Sequence, residues 1–175
     1  MKNLGLTIVM LAGALVLSPA AGAANSDPLA EKVRHELVML PYFGVFDHMA
    51  FQVADGVVTL SGQVTRPTLK TSAENVVRRL EGVTSVINEI EVLPLSPNDD
   101  RIRFAVVRAV YGYPALQRYA LGTQPAIRII VKNGNVTLEG VVANEAEKNI
   151  ANIRANGVFG VFGVTNRLQV ENPKA

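Results

Sequence analysis

The sequence predicts an α+β protein built from two tandem copies of one small module, each ordered helix, strand, strand, helix, strand. Each copy is expected to form a mixed three-stranded sheet with two helices on one face. The first observation behind this prediction is a repeat: residues 55–64 read DGVVTLSGQV, and residues 133–142, which are 78 positions later, read NGNVTLEGVV. The second is that segments of helical periodicity flank both repeated stretches. A length of 175 residues is enough for two small domains.

Each repeated stretch predicts a β-hairpin. Asp55-Gly56 and Asn133-Gly134 separate runs of alternating apolar residues, and these dipeptides favour two-residue hairpin turns. The glycine of each pair falls where such a turn requires a positive φ. The Val and Thr residues that follow suit a half-buried strand.

Helices are predicted before and after each hairpin. The first helix of each copy begins at acidic residues, Asp27-Pro28 in one and Asp99-Asp100 in the other. The second helices span roughly residues 67–81 and 145–156, and strands at 86–92 and 164–170 close the modules. A strand, a helix and a strand in that order predict a right-handed crossover and a parallel pair. The apolar stripes of the second helices are one position out of register: Leu69, Ala73, Val76 and Leu80 in the first copy, and Ala146, Ile150 and Ile153 in the second.

The predicted boundaries follow from these elements. Residues 1–23 have a basic start, an apolar run and a small-residue end, which together indicate a secretory signal peptide cleaved after Ala23. The apolar run is shorter than the ~20 residues that a spanning helix needs, so no transmembrane segment is expected after cleavage. The first domain is placed at 27–95, a short stiff linker at 96–98 and the second domain at 99–171.

The repeated pattern resembles a known family. Both copies read Asn/Asp-Gly-x-Val-Thr-Leu-x-Gly-x-Val, then a helix, then Gly-Val-x-x-Val-x-Asn-x-x-x-Val. This pattern is similar to the BON domain, present twice as in exported osmotic-stress BON proteins of Gram-negative bacteria. The resemblance implies a non-enzymatic module of the cell envelope that binds phospholipid surfaces, with chaperone-like or adapter roles in some relatives. It supplies no catalytic residue.

The residues themselves indicate no catalytic or metal site. Cysteine is absent, which excludes disulfides, thiolate metal ligands and an acylated cysteine anchor. His35 and His48 have no metal-ligand spacing with nearby acids, so no metal and no cofactor is expected. The glycine-rich run at 157–163 follows a helix and leads into a strand, the reverse of a phosphate-binding loop, and is interpreted as a helix stop and strand entry.

Charge distinguishes the two copies. Residues 27–95 hold six basic and nine acidic residues, a net charge of −3, whereas residues 99–170 hold nine basic and five acidic, a net charge of +4. At 100° per residue, Ile102, Val106 and Val110 define the core face of the second copy's first helix. The opposite face is then expected to carry three arginines and two aromatic rings, which form a candidate lipid-binding site: Arg101, Arg103, Phe104, Arg108 and Tyr111.

Two main functions are compatible with the sequence, and a third is a scaffold for a larger envelope assembly, because free sheet edges in each small module could pair with other chains. In the first, the basic second copy docks on anionic phospholipid while the first copy is a spacer or dimer surface. In the second, the protein is a periplasmic protein-interaction or chaperone-like adapter that holds chains on the aromatic loops at 42–46 and 111–113. Phe104 and Tyr111 could instead pack against the other module or against their own loop, which contains Tyr113, Leu116 and Tyr119. Export excludes nucleic acid as a partner, and envelope proteins stay possible partners.

Overall fold

The structure is a computed structural model that describes residues 28–121 and 124–171. The predicted signal peptide and Asp27 lie outside the described residues. In the first module, α1 (Pro28–Val38) precedes the hairpin β1 (His48–Ala54) and β2 (Val57–Val64), and α2 (Pro67–Arg78) leads to β3 (Ser85–Asn88) and β4 (Glu91–Val92). In the second, α3 (Pro97–Tyr111) and a 3₁₀ helix (Pro114–Ala120) precede β5 (Ile127–Lys132) and β6 (Asn135–Val142), followed by α4 (Glu145–Asn156) and β7 (Gly163–Val170).

The predicted fold class is confirmed, because the two modules have separate mixed sheets. In each module the hairpin is antiparallel and the closing strand runs parallel to the middle strand. The first sheet differs from the prediction in one detail, since its closing strand is split into β3 and β4, which both pair with β2. Pro97 and Asn98, assigned to the linker from sequence, form the first turn of α3.

Both hairpin turns have the geometry that their dipeptides favour. Asp55 and Gly56 have φ values of 51° and 77°, and Asn133 and Gly134 have 52° and 75°. Positive φ at both central residues defines the type I′ turn, whose twist matches that of the flanking strands. The repeated letters at these positions therefore encode the turn.

A repeated asparagine fastens the closing strand of each module to the second helix. The Asn88 side chain donates to the carbonyl of Lys70 at 2.9 Å and accepts from the amide of Ile90 at 3.2 Å. Asn166 makes the same two contacts with Lys148 and Leu168, at 2.9 and 3.1 Å. The closing strand is interrupted after Asn88 in the first module but continuous through Asn166 in the second. In both, the asparagine satisfies a helix carbonyl and a strand amide and so ties the closing strand to the second helix.

The second helices pack in register, although the apolar stripes of their sequences lie one position apart. The buried residues are Leu69, Ala73 and Val77 on α2 and Glu147, Ala151 and Ala155 on α4, each pair 78 positions apart. Alanines and one glutamate occupy the core positions of α4. The larger apolar residues of this helix therefore do not mark its core face. Ile153 in particular is 67% exposed.

Glu147 replaces the core leucine of the first module and holds the 3₁₀ helix against α4. Its carboxylate accepts hydrogen bonds from Arg118, at 2.7 Å, and from the hydroxyl of Tyr119. Burial acts to raise the pKa of Glu147, but the hydrogen bonds from Tyr119 and Arg118 outweigh it and lower that pKa.

The aromatic loop of the first module, residues 42–46, packs against the second module. The Val45 carbonyl accepts from the amide of Ile129 on β5 at 2.8 Å. Arg128 donates to the Gly44 carbonyl at 2.8 Å, and its guanidinium lies 4.7 Å from the centre of the Phe43 ring. Val45 and Phe46 also extend the second module's apolar core. The loop is therefore an inter-module contact, which covers part of the surface that the adapter hypothesis assigned to it and leaves Tyr42 exposed.

Candidate functional site

The start of α3 is fixed by its own sequence and by the hairpin beside it. Ser96 caps the helix by accepting from the amide of Asp99 at 3.2 Å, and Pro97 occupies the first turn, where its missing N–H costs nothing. The buried Asp99 carboxylate accepts from the amides of Asn133 and Gly134, both at 2.8 Å. These bonds tie α3 to the β5–β6 turn and hold its outer side in place.

Three of the five predicted site residues lie together on the outer side of α3. Arg101, Phe104 and Arg108 are exposed and line one groove. Arg101 donates to the Asn98 side chain at 2.9 Å, a local contact that leaves its charge without an acidic partner among the described residues. Phe104 is 57% exposed even though its ring makes an edge-to-face contact with Phe46, at 5.3 Å between centroids.

Arg103 does not belong to this surface, so its predicted outward position is wrong. The side chain is buried, pairs with Asp100 and donates to the Val131 carbonyl at 2.8 Å. Val131 is on β5, the edge strand of its sheet. Arg103 thus closes part of a strand edge that would otherwise expose an unpaired carbonyl.

Tyr111 is also misplaced by the sequence prediction. Its ring packs against the second module's core, and its hydroxyl donates to the Ile127 carbonyl, at the other end of β5. Burial raises the pKa of Tyr111 to about 12. Helical periodicity separates faces by angle but does not reveal that a neighbouring strand edge needs donors, which is why both residues were assigned to solvent.

The exposed side of α3 forms a groove of about 510 Å³ with the loop that follows α4. On the helix side it is lined by Arg101, Phe104 and Arg108, and on the loop side by Val158, Phe159 and Gly160. Phe159 is 99% exposed, and Phe162, farther along the same loop, is 79% exposed. Two phenylalanines and two arginines of the groove, together with Phe162 of the same loop, form an amphipathic surface, here called the Arg-Phe surface and defined as Arg101, Phe104, Arg108, Phe159 and Phe162.

Hydrogen bonding and packing fix the backbone of this loop, whereas the rings of Phe159 and Phe162 are exposed. Gly157 ends α4, and the amide of Phe162 donates to the Gly134 carbonyl at 2.9 Å. Gly160 has a φ of 90° and lies against Ile102 of α3. The interpretation of 157–163 as a helix stop and strand entry describes its path but missed that the path displays two phenylalanines.

The family model of the BON domain matches the chain twice, at residues 25–94 and 98–172. The chain belongs to the BON-domain family. This family is non-catalytic and is typical of periplasmic or envelope-associated proteins. No curated protein matches the chain. None of the helices among residues 28–121 and 124–171 has the length and apolar character needed to cross a membrane.

Two solved structures similar to this BON protein come from Chlamydia trachomatis. One is the C-terminal domain of CdsD, a structural protein of the type III secretion system; it is 12% identical, covers 85% of this chain and 100% of its own, and gives a TM-score of 0.30. A second CdsD structure is 15% identical, covers 80% of this chain and 90% of its own, and gives a TM-score of 0.29.

The two BON modules can be superposed residue by residue at this site. The loop after the second helix is offset by 78 positions, as are the sheets. The first helices are offset by 73, because Leu29 packs at Gly82 as Ile102 packs at Gly160, and buried Val33 and Leu37 correspond to Val106 and Val110.

At equivalent positions the first BON module is acidic or polar where the second is aromatic. Glu31 corresponds to Phe104, Glu81 to Phe159 and Thr84 to Phe162. His35 corresponds to Arg108. Aligning the repeats without gaps at an offset of 78 pairs Glu81 with Phe159 and Thr84 with Phe162, and these two differences could have identified both phenylalanines from sequence.

Proposed function

We propose that this protein is an exported, non-enzymatic envelope protein whose second BON module binds anionic phospholipid surfaces peripherally through the Arg-Phe surface. One observation carries the proposal. Phe104 and Phe159 line one groove with two arginines, and Phe162 is exposed in the same loop, while the first module carries Glu31, Glu81 and Thr84 at the equivalent positions. The first module forms the same kind of fold without phenylalanines at these positions. Their exposure in the second module is therefore attributed to binding.

The chemistry of the surface suits a lipid interface. Arginines at the rim can bind lipid phosphates, and the rings of Phe159 and Phe162 can enter the boundary between headgroups and acyl chains. Two basic residues near an anionic surface contribute about 2 kcal/mol, at roughly 1 kcal/mol each. Electrostatics alone would give weak binding, so the apolar loop must supply most of the remaining affinity.

The acidic first module helps to set the orientation on the membrane. Its net charge of −3 opposes approach to an anionic surface, whereas the second module's net charge of +4 favours it. The contact between the aromatic loop and β5 keeps the modules joined. The second module is therefore proposed to face the lipid and the first to face away from it.

Co-sedimentation of the mature protein with vesicles of increasing anionic lipid content tests this function. Replacing both Arg101 and Arg108 by Glu is expected to weaken binding to anionic vesicles by about thirtyfold or more, because about 2 kcal/mol of attraction is lost and repulsion is added. Added salt should weaken the wild type, since exposed charges are screened beyond about 8–10 Å.

The matched control reverses two exposed basic residues of the first module, Lys32 and Arg34, to Glu. It changes the net charge by the same amount and is expected to leave vesicle binding within about threefold of the wild type. Equal losses in both double variants would mean that net charge rather than the Arg-Phe surface determines binding. Binding that is equally strong to neutral vesicles would also contradict the proposal.

A further inference from the structure

The two modules differ in how the outward backbone groups of their hairpin edge strands, β5 and β1, are hydrogen-bonded. On β5, side chains of α3 bond the outward carbonyls of Ile127 and Val131, and Val45 of the first module bonds the outward amide of Ile129. Counting back 78 positions, the equivalent residues of the first module are Met49, Phe51 and Val53 of β1. The described part of the chain supplies no hydrogen bond to the outward backbone groups of these three residues.

The sequence of α1 explains the open edge. The residues equivalent to Arg103 and Tyr111, 73 positions earlier, are Ala30 and Val38, and neither side chain can donate a hydrogen bond. The second module therefore has two caps on this edge that the first module lacks.

The β1 strand also lacks the features that usually protect an edge. It pairs with β2 in continuous register over its seven residues, His48 to Ala54, and its sequence HMAFQVA contains neither proline nor lysine. The opposite edge of the same sheet is broken between β3 and β4. Beside β1, in contrast, seven consecutive residues offer an uninterrupted template for another strand.

A pocket of about 160 Å³ lies beside this edge. Leu37, Phe43, Met49 and Phe51 provide its apolar surface, and Arg34 and Arg128 flank it. Val38 also lines the pocket, at the position where the second module places Tyr111. The smaller valine leaves space that tyrosine fills in the other copy.

We propose that the β1 edge binds an extended segment of a partner polypeptide, which adds a strand to the first sheet. An apolar side chain of that segment enters the pocket, and an acidic side chain two residues away, on the same face of the strand, meets Arg34 and Arg128. Backbone pairing supplies affinity in such complexes, and the pocket supplies selectivity. Within the chain, the amide of Ile129 on the second module's edge already donates to a backbone carbonyl of another segment, that of Val45.

The basic character of the pocket favours a partner segment that carries an acidic side chain. The pocket is lined by two arginines and by His48, and no acidic residue lines it. Among the described residues, Arg128 donates hydrogen bonds to neutral oxygens, of Gly44 and Gln124, and Arg34 has a loose contact of 3.8 Å with Glu31. A carboxylate on the incoming strand would give both arginines a charged hydrogen-bonding partner.

The test uses fluorescence polarisation of the mature protein with the probe fluorescein-Thr-Val-Thr-Leu-Thr-Glu-Thr and a control probe in which lysine replaces the glutamate. Saturable binding of the first probe, at least tenfold tighter than the control, is expected. Hydrogen exchange should show new protection at the amides of Phe51 and Val53, while Ala50 and Gln52, already paired with β2, should change little.

Val38→Tyr introduces the second module's own cap at a partly exposed position and is expected to weaken probe binding at least tenfold without loss of stability. Arg34→Glu should reverse the preference towards the lysine probe. Undiminished binding to Val38→Tyr would overturn the proposal, as would protection outside β1 or competition by anionic vesicles. Self-association through β1 that excludes the probe would assign the edge to a second copy and would also overturn it.

Discussion

Replacing Phe159 by Glu and Phe162 by Thr is expected to reduce binding to anionic vesicles by about thirtyfold or more. The two substitutions install the residues that the first module carries at the same positions, Glu81 and Thr84. Burying a phenylalanine fully contributes about 1.5–3 kcal/mol, so loss of two partly inserted rings removes about 2 kcal/mol or more. The introduced carboxylate adds repulsion from anionic lipid.

Stability should be nearly unchanged in this double variant, because both rings are mostly exposed. The first module also shows that threonine fits beside the turn glycine, where Thr84 lies against Gly56. Ile153→Thr is the matched control, since it removes an exposed apolar side chain on α4 that does not line the groove. Wild-type vesicle binding by the double variant, at an unchanged melting temperature, would exclude the loop from the lipid surface.

Gly140→Ala is expected to be the most damaging single substitution in the second module, lowering the free energy of unfolding by about 3 kcal/mol or more. Gly140 has a φ of 127°, and a Cβ there would lie 1.9 Å from the carbonyl oxygen of Ala126. Holding a non-glycine residue in such a conformation costs about 1–3 kcal/mol, and the steric overlap with backbone adds to this cost. Urea denaturation followed by circular dichroism measures the change.

Gly157→Ala provides the control on the same module. Gly157 has a φ of −75°, and its Cβ would have no contact closer than 3.5 Å. Alanine there is expected to leave stability unchanged or raise it slightly, by up to about 1 kcal/mol. If the two variants unfolded at the same urea concentration, the positive φ and the close approach to Ala126 would not be the reason for the glycine at position 140.

Local chemistry made much of the fold predictable from sequence. The Asp55-Gly56 and Asn133-Gly134 turns follow from dipeptide preferences that act over a few residues. The start of α3 at Ser96 and Pro97 follows similarly from capping. The repeat then supplied the order of elements twice, which made the tandem α+β architecture a strong prediction.

The site was less predictable because it depends on neighbours that are distant in sequence. Arg103 and Tyr111 have the periodicity of an outward face, yet each bonds a carbonyl of β5. Glu147 occupies a core position only because Arg118 and Tyr119 satisfy its carboxylate. In each case, a polar residue is buried by a partner that periodicity cannot identify.

The relation between the modules was also beyond sequence reasoning. The adapter hypothesis takes the aromatic-rich residues 42–46 as a surface for other chains, but they pack on the edge of β5 and bring Phe46 against Phe104. Phe104 consequently has both an inter-module contact and an exposed face. Packing between the modules and exposure at a lipid-binding surface are therefore compatible for Phe104, whereas Tyr111 packs within its own module.

A single tryptophan at position 159 tests the central claim most directly, because the chain contains no other tryptophan. In the Phe159→Trp variant, the emission maximum is expected to shift to shorter wavelength with anionic vesicles and to stay constant with neutral vesicles. Glu81→Trp, at the equivalent position of the first module, is expected to show no shift with either. Absence of a shift at position 159, or equal shifts at positions 81 and 159, would contradict docking through the Arg-Phe surface of the second module.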